Sequence, residues 1–266
     1  MKIYDCFTFL NELELLELRL MTTDKIADYF VIVEANQTHS GKPKEYIFEQ
    51  NKDRFTKFLH KIRYIKIVLP TSDPRQSWRN ENFQRNEIMR GVDDALPDDY
   101  IMISDLDEIP NPEGVLDAIN NKKWEQFILE QKLCYYYVNN VAGQNWHGTV
   151  VTKRKNIKSP QHCREHDRRN PPRVVLEGGW HYSYLGNVDK IKEKMDSYAE
   201  HTEVVQSFGT YVKDRDHIAE CVATGKDLFK RDDDWRYAKK FVSLEEMGHS
   251  EVKEWLIKYP NFAKLP

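Results

Sequence analysis

The chain has 266 residues, with 40 basic and 43 acidic side chains, a formal net charge of −3, 40% hydrophobic residues and 12% aromatic residues. This composition is typical of a globular protein and excludes a largely disordered chain. Because the charges form no long run of one sign, a nucleic acid is not an expected partner. No stretch approaches the ~20 apolar residues that cross a bilayer, so we predict no transmembrane segment.

The length suits one large domain, with or without a helical extension. The four cysteines are Cys6, Cys134, Cys163 and Cys221. They lie far apart and form no C-x-x-C pair, so we expect free thiols rather than disulfides or a zinc site. The first residues do not have the pattern of a signal peptide, and we expect a cytoplasmic location.

The first part of the chain alternates predicted strands and helices. Residues 2–10, 28–34 and 62–69 are apolar, aromatic or β-branched runs that predict three strands. Asn11 begins a leucine-rich segment to Met21 that predicts a helix between the first two. Strands connected in this way form right-handed crossovers. The predicted fold class is therefore α/β, with a mostly parallel central sheet.

A fourth apolar run, residues 101–103, leads into the acidic turn, residues 105–108, whose sequence is Asp-Leu-Asp-Glu. Side chains alternate along a strand, so Asp105 and Asp107 point the same way. Two convergent carboxylates repel each other unless a cation lies between them, and their oxygens suit Mg²⁺ or Mn²⁺. Glu34 also follows a strand, at the sheet edge where α/β proteins bind ligands. We predict a metal site here, the alternative being a solvated acidic turn.

Residues 78–91 predict a helix that stops near Gly91. Wound at about 100° per residue, this helix has one polar face. Its members are Arg79, Asn82, Asn86 and Arg90. That face is either solvated or binds a ligand. Arg85 falls instead among apolar residues, where a guanidinium needs a carboxylate or phosphate partner; the aspartates of the acidic turn and a bound diphosphate are the candidates.

Residues 124–138 contain two apolar or aromatic runs, which suit a hairpin or adjacent strands. Residues 153–173 are basic and irregular. They predict either a loop that faces phosphate or an acceptor, or a charged surface loop. His162, Cys163 and His166 lie within this segment, but with no evident fourth ligand we do not expect zinc.

Two glycines precede Trp180 and allow the backbone to approach a ligand closely, and the indole can stack on a sugar face. Glu177 and His181 are four residues apart around this predicted turn. Both could therefore reach one site, although His181 could equally be a hydrogen-bonded core residue. Three charged helices are predicted further on, over residues 189–201, 214–223 and 243–258.

Five stretches resemble the family-17 glycosyltransferases. They are residues 5–12, 30–36 with 40–43, 78–86, 103–110 (Ile-Ser-Asp-Leu-Asp-Glu-Ile-Pro) and 179–184 (Gly-Trp-His-Tyr-Ser-Tyr). The resemblance implies a GT-A-like nucleotide-binding fold, a divalent cation, usually Mn²⁺, and transfer of N-acetylglucosamine from UDP-N-acetylglucosamine with inversion. The expected partners are thus a nucleotide sugar and a glycan acceptor, with a β-1,4 linkage to mannose if the acceptor is family-like. Animal members carry an N-terminal anchor and stem, neither of which we expect from this sequence, so another glycan is an open alternative.

The chemistry of such a transfer predicts roles for individual residues. The predicted metal ligands are Asp105, Asp107 and His181. The predicted donor-binding residues are Glu34, for uracil or ribose, with Arg79, Asn82, Arg85, Asn86, Asp105 and Trp180. Inversion needs a base for the acceptor hydroxyl, and Glu177 is the first candidate, with Asp216 or His217 second. Residues 1–205 are the predicted catalytic domain, and residues 206–266 a helical extension packed on it.

Two other functions fit parts of the sequence. A sugar nucleotidyltransferase would have a glycine-rich phosphate loop near its first strand, and residues 5–12 contain no glycine. A non-catalytic carbohydrate-binding protein could use Trp180 and neighbouring tyrosines. It would not need an acidic turn at a strand end or a polar helix face. The oligomeric state is left open.

Overall fold

The computed structural model describes residues 1–171, 173–197 and 201–264. Its strands are β1 (Ile3–Phe9), β2 (Tyr29–Ala35), β3 (Ile62–Ile67), β4 (Tyr100–Asp105), β5 (Glu108–Pro110), β6 (Gln126–Tyr135), β7 (Asn140–Lys153), β8 (Val174–Ser183) and β9 (Lys239–Phe241). Its α-helices are α1 (Leu13–Thr23), α2 (Ile47–Asn51), α3 (Ser77–Asn86), α4 (Pro112–Asn120), α5 (Pro160–His162), α6 (Val188–Ser197), α7 (His201–Phe208), α8 (Arg215–Thr224), α9 (Leu244–Met247) and α10 (Ser250–Lys258). A π-helical turn, Cys163–Asp167, follows α5.

The strands form one mixed sheet in the order β3-β2-β1-β4-β7-β6-β8-β5, and β9 pairs with β7. The β3-β2-β1-β4 half is parallel, as predicted. Beyond β4 the pairs are antiparallel except for β6 with β8. The near-continuous apolar sequences of β1, β2 and β4 explain the parallel half, because strands covered on both faces need apolar residues on both sides. The predicted α/β class is confirmed.

Alternation along β1 shows how the two faces of the sheet are covered. Cys6 packs on one face with Val31 of β2. Phe7 points to the other face and packs with Leu16 and Leu20 of α1. This period of two follows from strand geometry, and it separates the core into layers on either side of the sheet. All four cysteines are buried and free, as predicted.

Several predicted boundaries change in the structure. Residues 126–135 form the single strand β6 rather than two runs of a hairpin, and its antiparallel partner is β7. The helix predicted over residues 78–91 is α3 to Asn86, followed by a tighter turn to Gly91. The helix predicted over 243–258 is divided into α9 and α10 at Gly248, whose φ of 66° ends the first helix.

The C-terminal elements pack on the sheet domain. Trp255 of α10 joins a core cluster with Leu15 and Leu18 of α1, and its indole nitrogen donates to the carbonyl of Glu14 at 2.9 Å. The C-terminal part also supplies β9 to the sheet. Helix α6 ends at Ser197, and the rest of the helix predicted over 189–201 falls partly on residues 198–200, outside the described residues. The domain division at residue 205 stays a prediction.

Within the described ranges, no helix is both long enough and apolar enough to span a membrane.

Candidate active site

A cavity of about 480 Å³ lies at the carboxyl ends of the parallel strands. Its wall includes Thr8 to Leu10 at the end of β1, Ala35 at the end of β2 and the acidic turn at the end of β4. Three neighbouring strand ends therefore meet there. The ends of β6 and β8 contribute Tyr135, His181 and Ser183 to the same wall. This is the edge where α/β sheets bind ligands. The fold therefore brings the ends of neighbouring strands together around one cavity, as the sequence predicted.

Asp105 is held between two arginines. Its Oδ1 accepts from Nη2 of Arg85 at 3.0 Å, and its Oδ2 accepts from Nη2 of Arg164 at 2.7 Å. Partial burial alone would raise the pKa of the Asp105 carboxyl, but Arg164 and Arg85 outweigh it and hold that pKa well below its ordinary value. Arg85 is buried and also pairs with Glu81 at 2.7 Å. One of its two predicted partners, a carboxylate of the acidic turn, is therefore present.

Glu108 anchors the second of these arginines. It is buried, and its two carboxylate oxygens accept from Nη1 and Nη2 of Arg164 at 2.8 and 2.9 Å. The Trp146 indole donates to it at 2.7 Å, and the Asp105 amide donates to it at 3.1 Å. A buried carboxylate needs such a set of donors. Glu108 therefore orients Arg164 and Trp146.

Asp107 faces a lysine and a histidine. Its Oδ2 accepts from Nζ of Lys194 at 2.6 Å and lies 3.5 Å from Nε2 of His181. Burial would raise the pKa of the Asp107 carboxyl, but Lys194 and then His181 outweigh it and lower that pKa. Asp107 is thus ionised. Lys194 comes from α6, far along the chain.

The polar atoms around Asp107 fit a divalent cation. Nδ1 of His181 is buried, and among the described residues it has no hydrogen-bond partner. Within the same described ranges, Oδ1 of Asp107 is in no hydrogen bond, and Asp105 is 36% exposed with unused lone pairs on both oxygens. Carboxylate oxygens and an imidazole nitrogen form a donor set that suits Mn²⁺ or Mg²⁺. Asp107 and His181 are thus adjacent, and Asp105, the third predicted ligand, lines the same cavity.

One end of the cavity is aromatic. Its wall contains Tyr135, Tyr184, Phe208, Phe229 and Tyr237. The rings of Tyr135 and Tyr184 are stacked, with centroids 6.0 Å apart and an angle of 22° between their planes. The guanidinium of Arg231 lies 3.7 Å from the Tyr237 ring centroid and is held by Asp227 through Nε and Nη2 at 2.9 and 3.0 Å. This end offers flat apolar surfaces with few free charges.

The opposite end, beside β1 and β2, is polar. Thr8, Gln37 and Thr38 line it. Gln84 of α3 donates to the Val33 carbonyl at 2.8 Å and pairs through Oε1 with Nε2 of His39 at 2.7 Å. Lys44 and Glu81 are also in this wall, but Lys44 is paired with Glu34 and Glu81 with Arg85. The remaining side chains offer hydrogen bonds without net charge, which suits a nucleoside better than a phosphate.

Helix α3 contributes a different face from the predicted one. Glu81, Gln84 and Arg85 line the cavity, whereas the other three predicted donor-binding side chains of this helix do not. Arg79 is exposed and donates to Gln76, Asn82 is only partly buried, and Asn86 accepts from the Gln161 amide at 3.0 Å. The correction has a physical reason: the buried face of α3 is itself polar, because its amide side chains bond backbone groups at the sheet edge.

Glu34 is engaged behind the cavity rather than in its wall. Its carboxylate is fully buried and accepts from Nζ of Lys44 at 2.6 Å, the Ile47 amide at 2.6 Å, the Phe48 amide at 3.0 Å and the Tyr64 hydroxyl at 2.7 Å. Two of these donors are free amides at the start of α2, which a carboxylate stabilises. Glu34 therefore stabilises the start of α2 and holds Lys44 and Tyr64, and it does not make the predicted contact with uracil or ribose from the cavity wall.

Trp180 points away from the cavity. It precedes His181 on β8, and neighbouring residues of a strand face opposite sides of the sheet. Its indole nitrogen donates to the Met247 carbonyl at 2.8 Å, and its ring stacks on His249 with centroids 3.8 Å apart. No face of the indole is presented to a sugar in this cavity. The predicted turn is in fact a strand, and that difference corrects the prediction.

The predicted bases also lie outside the cavity wall. Glu177 is exposed, with a φ of 52°, in a bulge where β8 departs from the register of β6. Asp216 is exposed in the first turn of α8, and Nε2 of His217 bonds the Leu228 carbonyl at 2.8 Å. Glu12 and Glu81 are the cavity carboxylates outside the acidic turn.

Sequence reasoning missed Arg164 and Lys194. Arg164 was one of many cations in a segment without periodicity, and only the π-helical turn after α5 brings it to Asp105. His162 at the end of α5 and His166 and Asp167 in the same turn lie close together, with one ligand atom of each within 4.8 Å of the others. Cys163 is buried, and burial raises the pKa of its thiol to about 12. The signal available for Arg164 and Lys194 was positive charge alone, which does not distinguish a site from a surface.

Comparison with known proteins gives the family. A segment of 122 residues is 28% identical to a rat (Rattus norvegicus) β-1,4-mannosyl-glycoprotein 4-β-N-acetylglucosaminyltransferase, covering 43% of this chain and 23% of that protein. The human (Homo sapiens) protein of the same name is 30% identical over 113 residues, covering 40% of this chain and 21% of that protein. The matched segment therefore spans less than a quarter of either relative.

Among solved structures, the chain is similar to glucosyl-3-phosphoglycerate synthase from Mycobacterium tuberculosis in complex with Mn²⁺, UDP and phosphoglyceric acid, at a TM-score of 0.38 and 11% identity over 77% of this chain and 78% of that one. A likeness at this score carries no argument about the site. The model of glycosyltransferase family 17 matches residues 1–262. Because the match covers nearly the whole chain, the protein belongs to glycosyltransferase family 17 and is a glycosyltransferase.

Proposed function

We propose that this glycosyltransferase is metal-dependent and moves N-acetylglucosamine from UDP-N-acetylglucosamine to a glycan hydroxyl with inversion. The observation that carries the proposal is the acidic turn: Asp107, beside His181, is directed into a cavity of about 480 Å³ between a polar end and an aromatic end. The names of the rat and human relatives support N-acetylglucosamine as the sugar, and a β-1,4 linkage to mannose if the acceptor is family-like.

The three parts of the cavity match the three parts of a nucleotide sugar and its acceptor. The polar end beside β1 and β2 would hold the nucleoside, and the charged centre the diphosphate. The stacked rings of Tyr135 and Tyr184 would lie against sugar. Arg85 and Arg164 reduce the repulsion between Asp105 and the diphosphate, because each donates a hydrogen bond to that carboxylate. The arginines also pair with Glu81 and Glu108, so the centre keeps negative charge that a divalent cation would offset.

A divalent cation bound by Asp107 and His181, with Asp105 beside them, would neutralise the charge that develops on a leaving diphosphate. The protein's own part is to keep those ligands ready. Arg85 and Arg164 fix the Asp105 carboxylate by two separate hydrogen bonds. Glu108 fixes Arg164 in turn, and oriented groups of this kind need no rearrangement during the reaction.

Inversion requires a base for the acceptor hydroxyl, and we assign Glu12 to it in place of Glu177. Glu12 lines the cavity at the start of α1, and its Oε1 lies 3.8 Å from Nζ of Lys194. The same ammonium lies 6.0 Å from the Tyr184 ring centroid, which puts Glu12 on the aromatic side of the centre. Glu81, the other candidate, pairs with Arg85 and sits beside His39 at the polar end.

The test is release of UDP from UDP-N-acetylglucosamine, with and without Mn²⁺, together with thermal stabilisation by UDP. We expect UDP to raise the melting temperature only when Mn²⁺ or Mg²⁺ is present. UDP-glucose and UDP-galactose serve as matched donors that test the sugar. Absence of both metal-dependent stabilisation and UDP release would rule the proposal out. A glycan array then identifies the acceptor. The cytoplasmic location predicted from the sequence stays a prediction.

A further inference from the structure

Lys194 occupies the position where a bound cation would meet Asp107. Its Nζ donates to Oδ2 of Asp107 at 2.6 Å and lies 3.8 Å from Oε1 of Glu12. The ammonium lies in the cavity wall rather than on the outer surface of α6. A lysine in this place satisfies a carboxylate that would otherwise be buried without a counter-ion.

The neighbouring lysines of α6 show that this placement is specific. Lys190 pairs with Glu14 at 2.6 Å, and Lys192 pairs with Asp196 at 3.0 Å. Neither lies in the cavity wall. Both are ordinary surface ion pairs, which contribute little to stability. Lys194 alone among the three is turned inward to the centre.

A divalent cation bound between Oδ2 of Asp107 and Nε2 of His181 would meet the Lys194 ammonium, which bonds the same oxygen. They compete for the same carboxylate, and like charges at such distances repel strongly in a partly desolvated site. A lysine is suited to leave, because its flexible four-carbon stem lets the ammonium move several ångströms while α6 stays in place. It would then need another anion. Glu12 offers one, and a diphosphate in the centre offers a stronger one.

We propose that Lys194 is an exchangeable counter-ion: it neutralises Asp107 while the site is empty, and it binds the diphosphate once a divalent cation has taken Asp107. The inference rests on the proposed function, because it assumes that a diphosphate and a cation share the cavity. It assigns Lys194 as a further substrate-binding residue. Binding of metal and nucleotide is then coupled. The metal alone binds weakly because Lys194 competes for Asp107, and the diphosphate strengthens metal binding because it accepts a hydrogen bond from the displaced Lys194.

Exchange of this kind predicts effects of opposite sign on two ligands. Lys194→Met keeps the length of the side chain and removes the charge. Without the competing ammonium, Mn²⁺ alone should bind the variant more tightly. With Mn²⁺ saturating, UDP should bind it more weakly, because one charge-assisted hydrogen bond is lost. Each change should be about tenfold or more, the usual size for a hydrogen bond to a charged group.

The experiment measures Mn²⁺ binding by electron paramagnetic resonance without nucleotide, and UDP binding by calorimetry at saturating Mn²⁺. Wild type, Lys194→Met and the matched control Lys192→Met are compared, and thermal unfolding checks that each is folded. The control should leave both affinities unchanged. If wild type binds no UDP, the proposed function fails. If wild type binds UDP but Lys194→Met shifts neither affinity, shifts both the same way, or shifts only Mn²⁺, the exchange is wrong while the proposed function stands.

Discussion

The two faces of β8 carry neighbouring residues into opposite environments. On the cavity face, His181 lies beside Asp107 and packs at a tilt on Trp146, with centroids 5.0 Å apart. On the other face, Trp180 stacks on His249 of the C-terminal part. Both sides thus contain a buried imidazole against an indole. They differ in what the imidazole nitrogens bond.

His249 is fully satisfied. Its Nε2 bonds the Thr22 hydroxyl at 2.8 Å and its Nδ1 bonds the Tyr182 hydroxyl at 2.6 Å. Burial, and then the charge of Lys25, lower the pKa of its ring to about 3, so it is neutral at physiological pH. His181 instead keeps an unpaired buried Nδ1 among the described residues. A saturated polar group indicates a structural part, and an unsatisfied one indicates a place for a ligand.

The largest expected effect tests the cavity face. Glu12→Gln should lower the transfer rate by roughly 10²–10⁴-fold, the usual contribution of a positioned base. Metal-dependent UDP affinity should stay near the wild-type value, because the amide is nearly isosteric. Rates are measured with an acceptor identified on the glycan array. Glu177→Gln is the matched control and should be neutral. Loss of rate in the control instead would restore Glu177 as the base.

Asp107→Asn comes next. We expect metal-dependent release of UDP to fall by about 10²–10³-fold, the cost of losing one preorganised group at a charged transition state. Mn²⁺-dependent UDP binding, followed by calorimetry, should be lost as well. The fold should persist, because the amide still accepts from Lys194. Unchanged UDP affinity in a folded variant would contradict the metal assignment. The His181 face of β8 would then serve the stability of the fold, as the Trp180 face does.

Trp180→Phe tests the opposite face of β8. The change removes the hydrogen bond to the Met247 carbonyl and part of the stack on His249. Urea unfolding should show a loss of about 0.5–1.5 kcal/mol, the net contribution of one hydrogen bond, because the Met247 carbonyl still accepts from Nζ of Lys132 at 3.2 Å. UDP and sugar affinities of the folded variant should not change. A stable variant with weakened sugar binding would mean that Trp180 serves the site after all.

The last expected effect is a pH dependence of stability, which is small near neutral pH and grows as the pH falls. Since the pKa of His249 is about 3 when folded and about 6.5 when unfolded, only the unfolded chain takes up this proton between those values. Stability therefore falls as pH drops below about 6.5, by at most about 1.4 kcal/mol per pH unit. Urea unfolding at several pH values measures the slope. His249→Gln should reduce it, and an unchanged slope would exclude His249 as its source.

The aspartates act in a separate pH window. The pKa values of Asp105 and Asp107 are lowered in the folded protein, by Arg164 with Arg85 and by Lys194 with His181 respectively, against burial. Their contribution is complete above the unfolded value of about 4 and is lost as pH falls below it. In His249→Gln we expect the loss of stability to be confined to pH below about 4. That result would distinguish the contribution of the aspartates on one face of β8 from that of His249 on the other.

The sequence predicted the parts of the site that depend on local pattern. Apolar runs identified β1, β2 and β4, because a strand buried on both faces must be apolar throughout. The acids at the ends of two of these runs identified Glu34 and the acidic turn as strand-end carboxylates. The burial of Arg85 followed from helical phase, and its need for a carboxylate followed from the cost of a buried charge. Treating residues 177–184 as a turn, however, put Glu177, Trp180 and His181 in one site. Period-two alternation separates the last two onto opposite faces.

By itself, then, the sequence determined the α/β class, the carboxylates at a strand end and the resemblance to family 17, since each depends on residues close together in the chain. Tertiary structure alone decided which charges meet those carboxylates. Arg164 and Lys194 reach Asp105 and Asp107 from 59 and 87 residues away. A long-range ion pair has no period and no fixed spacing, because any cation on a nearby element can satisfy a carboxylate. Only the packing of the π-helical turn and α6 against the acidic turn selects these two.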